Sequence, residues 1–354
     1  MKFYTSVLPF RGKLLVRGVN HDGTHKKFRI NYQPSLFIPS KKESKYKTLD
    51  GRNVGKIKFN SISEAKKWIE QYKDVTNFEY FGNTRYQYPF IADTFPDKIN
   101  WDMNQIRLMT IDIECASEHG FPDVATASEP ILCITVKNHT NKKIVVFGTD
   151  NFVSDREDVT YYRCSTERIL VEKFTQFWKE FNPDIITGWN VKFFDIPYLM
   201  NRFKYLMGEE YCLQFSPWNV CNQGTLKVGY NRQQNYWDIL GVSILDYFDL
   251  YRKHTFVRQE SYKLDYIGQQ ELGESKNENP FDVLHRIPIL EGNGFYKLVD
   301  ESITAVDRVI DIEVSSGSTG LRKRRVINHH DESSEIKFLA RLSRLIKFFI
   351  QLSF

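Results

Sequence analysis

The stretch Ile106-Arg-Leu-Met-Thr-Ile-Asp-Ile-Glu114 combines a strongly apolar run with two carboxylates. Its length and branched residues predict a buried β-strand. Successive side chains of a strand point to opposite faces, so Asp112 and Glu114 share one face. Two carboxylates there repel each other and lose hydration, which is costly unless cations neutralise them. The spacing alone leaves two interpretations open: a site for hard cations such as Mg²⁺ or Mn²⁺, or carboxylates exposed at the strand end.

The residues that follow predict an α/β arrangement of strands and helices. Apolar runs at 131–136, 143–147 and 184–187 predict three further strands. Residues 166–181 and 195–205 have the apolar periodicity of helices that cover one face of a sheet. Strands that alternate with helices are typical of α/β domains.

A third carboxylate follows the predicted strand at 184–187. The segment Asn190-Val-Lys-Phe-Phe-Asp-Ile-Pro-Tyr198 leads from that strand into the next helix, so Asp195 is expected at the mouth of the sheet. From its position alone, Asp195 is either a third ligand of a metal site or an ordinary helix N-cap, which would contribute about 1 kcal/mol.

Residues 1–103 predict a separate, small α+β domain. Alternating runs such as Lys27-Phe-Arg-Ile-Asn31 and the turn His21-Asp-Gly23 indicate a sheet built from hairpins. Residues 62–73 place their apolar side chains on one helical face, with Ser61 or Ser63 as the cap.

The bulk composition narrows the class of protein. A length of 354 residues predicts about two domains. The net charge of +5 is compatible with nucleic acid but does not require it. Five scattered cysteines without a CxxC pair argue against a disulfide framework and a zinc site, and favour reduced thiols in a cytosol. No run reaches the about 18 apolar residues of a membrane span, so no membrane partner is expected.

Two motifs carry a resemblance to a known family. Thr110-Ile-Asp-Ile-Glu114 resembles D-x-E, the first exonuclease motif of family B DNA polymerases, and Asn190-x-x-x-Phe194-Asp195 resembles the second, N-x(2,3)-F/Y-D. Further stretches resemble the polymerases of T4-like bacteriophages in the same order: Tyr32-Gln-Pro-Ser-Leu-Phe37, Gly120-Phe-Pro122, Thr187-Gly-Trp-Asn-Val191, Ile244-Leu-Asp-Tyr-Phe-Asp-Leu-Tyr251 and Ser261-Tyr-Lys-Leu-Asp-Tyr-Ile267. The resemblance covers about residues 1–285. It implies an RNase H-like exonuclease domain over 104–285, a mixed sheet with flanking helices, and a β-hairpin at 219–240.

The resemblance also implies the chemistry, which is metal-dependent 3′→5′ removal of nucleotides from DNA in proofreading. Asp112, Glu114 and Asp195 would be the catalytic carboxylates and would hold two divalent ions, Mg²⁺ or Mn²⁺. Asn190 and Phe194 would shape the site around the terminal nucleotide. Phe121 matches a residue near the unpaired end, with a loop-packing aromatic as the alternative.

The third exonuclease motif, Y-x(3)-D, should carry a fourth carboxylate. Tyr296-Lys-Leu-Val-Asp300 fits its pattern and spacing, which makes Asp300 a candidate catalytic residue and Tyr296 a candidate substrate contact. The following Glu301-Ser-Ile-Thr-Ala-Val306 fits equally as a degraded copy, with Ala305 where the aspartate belongs; Asp307 is a further candidate. Asp246 and Asp249 lie outside all three motifs and are interpreted as structural.

Beyond about Arg286 the resemblance fades. Residues 286–354 are expected to form a divergent tail, as a truncated, split or insertion-interrupted polymerase gene would encode. The tail contains the basic run Arg322-Lys-Arg-Arg325 and predicts a basic amphipathic helix near 335–352. Nothing resembles the polymerase palm motifs, so this chain alone is not expected to polymerise nucleotides.

The implied partners are those of a replicative polymerase. They are single-stranded and primer–template DNA, a polymerase C-terminal polypeptide and a sliding clamp, with RNA as a ligand of the N-terminal domain. For a viral protein the implied location is the host cell cytoplasm. The second hypothesis is a non-catalytic fragment of a split polymerase that binds nucleic acid or docks on the polymerase.

Overall fold

The computed structural model describes residues 1–117, 120–228, 232–255, 258–273 and 293–316. They fold into two units, Met1–Gln105 and a second unit that begins at Ile106. The predicted basic run Arg322–Arg325 and the amphipathic helix near 335–352 lie outside the described residues. Within the described ranges, no helix has the length and apolar character needed to cross a membrane.

The first unit packs two small antiparallel sheets and two helices around one core. Its elements are β1 (Phe3–Phe10), β2 (Lys13–Val19), β3 (His25–Ile30), β4 (Ser35–Pro39), β5 (Val54–Lys58), α1 (Ile62–Tyr72) and α2 (Gln87–Thr94). The sheets have the orders β1-β2-β3 and β4-β5. Leu14 of β2, Leu36 of β4 and Ile62 of α1 share the buried core. Ser61 caps α1 by accepting the N–H of Glu64 at 3.1 Å, as one of the two predicted caps.

The second unit is built on a six-stranded mixed sheet. Its strands are β6 (Leu108–Cys115), β7 (Ile131–Asn138), β8 (Ile144–Gly148), β9 (Val159–Arg163), β10 (Ile185–Gly188), β11 (Cys221–Val228), β12 (Arg232–Ile239) and β13 (Ser243–Asp246). Its helices are α3 (Glu167–Phe181), α4 (Asp195–Met207), α5 (Glu209–Cys212), α6 (Tyr247–His254), α7 (Leu264–Leu272) and α8 (Asn293–Ser316). The sheet order is β13-β10-β6-β7-β8-β9. The central strand β6 pairs antiparallel with β7 and parallel with β10. The predicted α/β fold class, a mixed sheet flanked by helices, is confirmed.

The two faces of this sheet bury different helices. Ile111 and Ile113 of β6 share a core with Phe174 of α3 and Phe203 of α4. Side chains alternate along a strand, so Asp112 and Glu114 face the other way. Helix α8 packs on that other face of the sheet, against residues such as Cys133 of β7. The part of the predicted tail from Phe295 to Ile312 therefore contributes buried side chains to the second unit.

The strands β11 and β12 form an antiparallel hairpin that is tied to α4. They pair from Cys221 opposite Ile239 to Val228 opposite Arg232. At the base of the hairpin, the Trp237 indole N–H donates to Asn201 Oδ1 at 3.0 Å, and the Gln223 amide donates to the same oxygen at 3.1 Å. The hairpin is thus anchored on the helix that begins at Asp195.

His139 is a buried histidine beside the central strand. Its Nε2 lies 2.7 Å from Thr110 Oγ1, and its backbone N–H donates to Leu108. Burial lowers the pKa of His139 from 6.5 to about 3, and nearby Lys142 and Lys137 add to that effect. The imidazole is therefore neutral in the folded chain at pH values where the unfolded chain protonates it.

We expect His139 to make the second unit less stable as pH falls from about 6.5 towards 3, because only the unfolded state takes up its proton there. Each pH unit in that window removes about 1.4 kcal/mol from the free energy of unfolding. His139→Gln should flatten this dependence, as measured by urea unfolding between pH 7 and 4. His21→Gln is the control because His21 is exposed. Equal pH dependence in the wild-type chain and His139→Gln would contradict the prediction.

Candidate active site

The two carboxylates of β6 lie on the face that α8 covers. Asp112 and Glu114 are both half-buried, while Ile111 and Ile113 between and beside them are buried on the opposite face. The Ser302 hydroxyl of α8 donates to Asp112 Oδ2 at 2.6 Å. A charge-assisted bond of this length holds the Asp112 carboxylate in one orientation.

Asp195 brings a third carboxylate to the same strand. It is the first residue of α4 and is only 4% exposed. Its side chain does not cap the helix, because Oδ1 accepts the backbone N–H of Ile113 at 3.2 Å. Burial raises the pKa of Asp195 well above its usual value, and the negative charge of Asp112 raises it further. Asp112 and Asp195 therefore form a crowded, poorly solvated pair of acids.

The turn between β10 and α4 delivers Asp195 to this place. Asn190 adopts a left-handed conformation, with φ of 63°, which asparagine tolerates better than most residues. Its carbonyl accepts the N–H groups of Phe193 and Phe194 at 3.1 and 3.0 Å. The Asp246 carboxylate accepts the N–H of Asn190 from the other side at 3.0 Å. The predicted site residue Asn190 thus lies in the turn that positions Asp195.

Two predicted substrate contacts come together at the start of α4. Phe121 is 71% exposed, and its ring centroid lies 5.4 Å from that of Phe194. Phe194 in turn stacks on buried Tyr198 at 5.9 Å. An exposed ring supported by a second ring provides a surface on which an unpaired base can stack.

The predicted third motif is not brought to this site. Asp300 is exposed, and its charged neighbours are Arg156 and Asp155. Tyr296, one turn earlier on the same side of α8, packs on Phe152 with ring centroids 5.1 Å apart. In a helix Asp300 lies about 200° from Ser302, and it is Ser302 that touches Asp112. The side of α8 that carries Tyr296 and Asp300 therefore faces away from the β6 carboxylates.

The two other candidates from this segment, Asp307 and Ala305, lie on different sides of α8. Asp307 forms salt bridges with Lys137 and Arg156 at 2.5 and 2.6 Å, so its charge is already neutralised. Ala305 follows Ser302 by three residues, which puts both on one side of the helix. An aspartate at position 305 would therefore lie on the side of α8 that meets Asp112.

The carboxylates fit a divalent ion in their chemistry. Oxygen ligands are those that Mg²⁺ and Mn²⁺ prefer, and a cation would neutralise the charge of the buried Asp195 beside Asp112. Among the described residues, no group of three or more His, Cys, Asp or Glu side chains is arranged to hold one ion. Asp112 on β6 and Asp195, which bonds to the next residue of that strand, are the candidate donors, and Glu114 stays a predicted third ligand.

Sequence reasoning missed two contributors to this site. Ser302 lies within the candidate degraded motif but was not itself a predicted site residue, and its contact with Asp112 depends on the packing of α8. Asp246 ends β13, which pairs parallel with β10, with Asp246 opposite Gly188. Burial raises the pKa of Asp246 to about 6, although N–H groups from Lys192, Asn190 and Phe248 act against that rise. The feature that could have identified Asp246 is its position at the end of the strand that neighbours β10.

Comparison with known proteins identifies the family of this chain. The model of the exonuclease domain of DNA polymerase family B matches residues 59–267, which is more than half of the chain. The DNA-directed DNA polymerases of Escherichia phage RB69 and Enterobacteria phage T4 are each 29% identical to it, over 92% and 89% of this chain. The chain spans 38% of the length of each of these two relatives. A shorter stretch, 28% of the chain and 10% of the relative, is 34% identical to the DNA polymerase delta catalytic subunit of Caenorhabditis elegans.

The alignment with the phage polymerases also covers more of the chain than the sequence motifs predicted. The expected resemblance ended near residue 285 of 354, whereas the alignment with the RB69 protein covers 92% of the chain and so enters the segment 286–354. The match to the family model includes both Asp112-Ile-Glu114 and the Asn190–Asp195 turn. The chain therefore belongs to the DNA polymerase family B exonuclease-domain family.

Proposed function

We propose that this chain is the 3′→5′ proofreading exonuclease part of a family B DNA polymerase that acts in DNA replication. The observation that carries the proposal is buried Asp195, which accepts the N–H of Ile113 next to half-buried Asp112 on β6, in a domain of the exonuclease family. The reaction is hydrolysis of the 3′-terminal phosphodiester. Water adds to phosphorus, the bond to the 3′ oxygen of the shortened strand breaks, and a nucleoside 5′-monophosphate leaves.

The proposed roles follow from the donors that each residue offers. Asp112, Glu114 and Asp195 would hold two divalent ions, Mg²⁺ or Mn²⁺. When bound, such ions supply an activated water and stabilise the leaving oxygen. Ser302 orients Asp112 through its hydrogen bond. Phe121 and Phe194 present the aromatic surface for the terminal base.

The proposed partners are those of a replicating polymerase. They are single-stranded and primer–template DNA, a polymerase C-terminal polypeptide and a sliding clamp, with RNA as a further ligand of the first unit. The location that we propose is the cytoplasm, of a host cell if the protein is viral. All five cysteines are free thiols, four of them buried, which supports a reducing compartment.

A second candidate function is a non-catalytic module that binds nucleic acid or docks on a separate polymerase chain. One observation favours it: the predicted fourth carboxylate, Asp300, is exposed and lies beside Arg156 instead of Asp112. A site short of one carboxylate would hold its ions more weakly. This candidate keeps the DNA surface of Phe121 and Phe194 but loses the chemistry.

The wild-type chain is expected to shorten 5′-labelled single-stranded DNA from its 3′ end when Mn²⁺ or Mg²⁺ is added. A ladder of stepwise shorter products on a denaturing gel is the expected result, and a chelator should stop it. The control is the same oligonucleotide with a phosphorothioate at its last linkage, which should slow the first step. Binding of the DNA in a gel shift without any shortening would favour the non-catalytic module.

A further inference from the structure

We propose that Asp246 is a positioning residue of the exonuclease site, which holds the turn that carries Asn190 and delivers Asp195. The inference rests on the proposed function, and it adds a residue outside the three exonuclease motifs. Asp246 is 4% exposed and ends β13. Because β13 and β10 are parallel, with Asp246 opposite Gly188, the carboxylate lies where the chain leaves β10.

The Asp246 carboxylate accepts three backbone N–H groups from two segments. Oδ1 accepts the N–H of Asn190 and of Phe248, each at 3.0 Å. Oδ2 accepts the N–H of Lys192 at 3.0 Å. The bond from Phe248 is an ordinary N-cap of α6. The two bonds from the turn are not needed to cap that helix, so they serve the turn itself.

The turn is a short chain of hydrogen bonds from Asp246 to Asp195. The Asn190 carbonyl accepts the N–H groups of Phe193 and Phe194, and the Val191 carbonyl accepts the N–H of Ile196 at 3.0 Å. Asn190 is held at a φ of 63° within it. A backbone conformation of this kind persists when the surrounding bonds enforce it. Loss of the acceptors for two N–H groups would release the turn and with it the first residue of α4.

The number of acceptor oxygens at position 246 distinguishes two roles of Asp246, which are the capping of α6 and the positioning of the turn. A carboxylate offers two oxygens, whereas asparagine offers one oxygen and an NH₂ group that cannot accept. Asn is as good an N-cap as Asp. Asp246→Asn therefore keeps an oxygen for Phe248 and turns a donor towards one of the two N–H groups of the turn. A purely structural capping role predicts little change, and a positioning role predicts a displaced Asp195.

The test compares Asp246→Asn with the wild-type chain in four measurements. At saturating single-stranded DNA and Mn²⁺, single-turnover cleavage is expected to fall about 10- to 100-fold, the usual effect of residues that orient metal ligands. The dissociation constant for DNA should change less than the cleavage rate does, because Phe194 belongs to the turn but the exposed ring of Phe121 does not. Mn²⁺ binding without DNA, measured by electron paramagnetic resonance, should weaken about tenfold or more, and amide exchange of residues 190–196 should become faster.

Asp249→Asn is the matched control. It removes the same charge from the first turn of the same helix but leaves the bonds to Asn190 and Lys192 in place. It should leave all four measurements near wild type. If Asp246→Asn does not fold, Asp246→Ser gives the same readouts, because a serine still caps α6 with a single acceptor.

The outcomes separate this inference from the proposed function. Cleavage, Mn²⁺ binding and amide exchange of Asp246→Asn within twofold of wild type would overturn the positioning role while the exonuclease assignment stands. A wild-type chain that never cleaves DNA would overturn the exonuclease assignment instead. In that case the Mn²⁺ affinity and the amide exchange still decide whether Asp246 holds the turn.

Discussion

Replacement of both Asp112 and Glu114 by alanine is expected to lower the rate of 3′-end digestion by about three orders of magnitude or more. The two side chains share one face of β6, and Asp112 crowds the buried Asp195. Bound metal ions contribute several kcal/mol to phosphodiester hydrolysis, and each loss of about 1.36 kcal/mol is a factor of ten in rate. The measurement is single-turnover digestion of 5′-labelled DNA with excess Mn²⁺.

The double variant needs a control that removes a nearby carboxylate without touching the site. Asp300→Asn serves, because Asp300 is exposed and its neighbours are Arg156 and Asp155. It should digest DNA at the wild-type rate. Circular dichroism should show both variants folded. Unchanged digestion by the double variant would refute the role of the β6 carboxylates, and a large loss in Asp300→Asn would restore Asp300 as the fourth carboxylate.

The central strand could be predicted from the sequence because its signal is local. An apolar run with carboxylates at 112 and 114 fixes both the strand and the shared face, since side chains alternate with a period of two. The arrival of Asp195 beside this strand is not local. It depends on the parallel pairing of β10 with β6, with Thr187 opposite Thr110. Only the resemblance to ordered family motifs supplied that contact in advance.

The third motif was not resolved from the sequence, because the pattern Y-x(3)-D does not indicate which side of a helix meets the sheet. The buried residues of α8 recur at helical spacing, for example at Leu298, Val299, Ser302 and Ile303, and so form one stripe that meets the sheet. The pattern Y-x(3)-D fitted Asp300 as well as the alternative with Ala305. The packing on the sheet, read at the Ser302–Asp112 bond, separates the two sides.

The role of Asp246 in the turn was not predicted from the sequence for a different reason. Asp246 lies outside the three exonuclease motifs, and for that reason it is interpreted as structural from the sequence. Its bonds to Asn190 and Lys192 span 56 and 54 residues of sequence. They exist because β13 pairs with the far side of β10. No periodicity within the helix encodes a partner strand, so a role in the turn required the three-dimensional register.

The largest effect on stability is expected from Arg202→Met, which should lower the free energy of unfolding by about 3–5 kcal/mol. The Arg202 side chain is 6% exposed and forms two hydrogen bonds to Glu167, at 2.8 and 2.6 Å. Its Nη1 donates to the carbonyls of Ala127 and Ser128 at 3.0 and 2.6 Å. Methionine fills similar volume but leaves the Glu167 carboxylate buried without its cation.

The loss of stability in Arg202→Met is expected to be larger than for an isolated ion pair, because Glu167 has a further partner. The side chain is 14% exposed, and Oε1 also accepts the N–H of Ile131 at 2.7 Å, where β7 begins. The ion pair therefore joins α4 to α3 and to the segment that enters the sheet. Urea unfolding of the second unit, followed by tryptophan fluorescence, measures the change. Arg168→Met is the control, since its pair with Glu172 on α3 is 66% and 50% exposed and should contribute about 0.5 kcal/mol or less.

A double variant, Glu167→Leu with Arg202→Met, distinguishes two contributions to the free energy of unfolding. One is the stabilisation by the ion pair, and the other is the cost of burying the Glu167 charge without its partner. Removal of both partners of a buried ion pair is far less costly than removal of one, so this variant should regain much of the stability lost in Arg202→Met. A similar loss in Arg202→Met and Arg168→Met would contradict the buried pair. Arg202 lies about two turns after Asp195 on α4. If stability and DNA digestion both recover in the double variant, the ion pair supports the site only by keeping α4 folded in place.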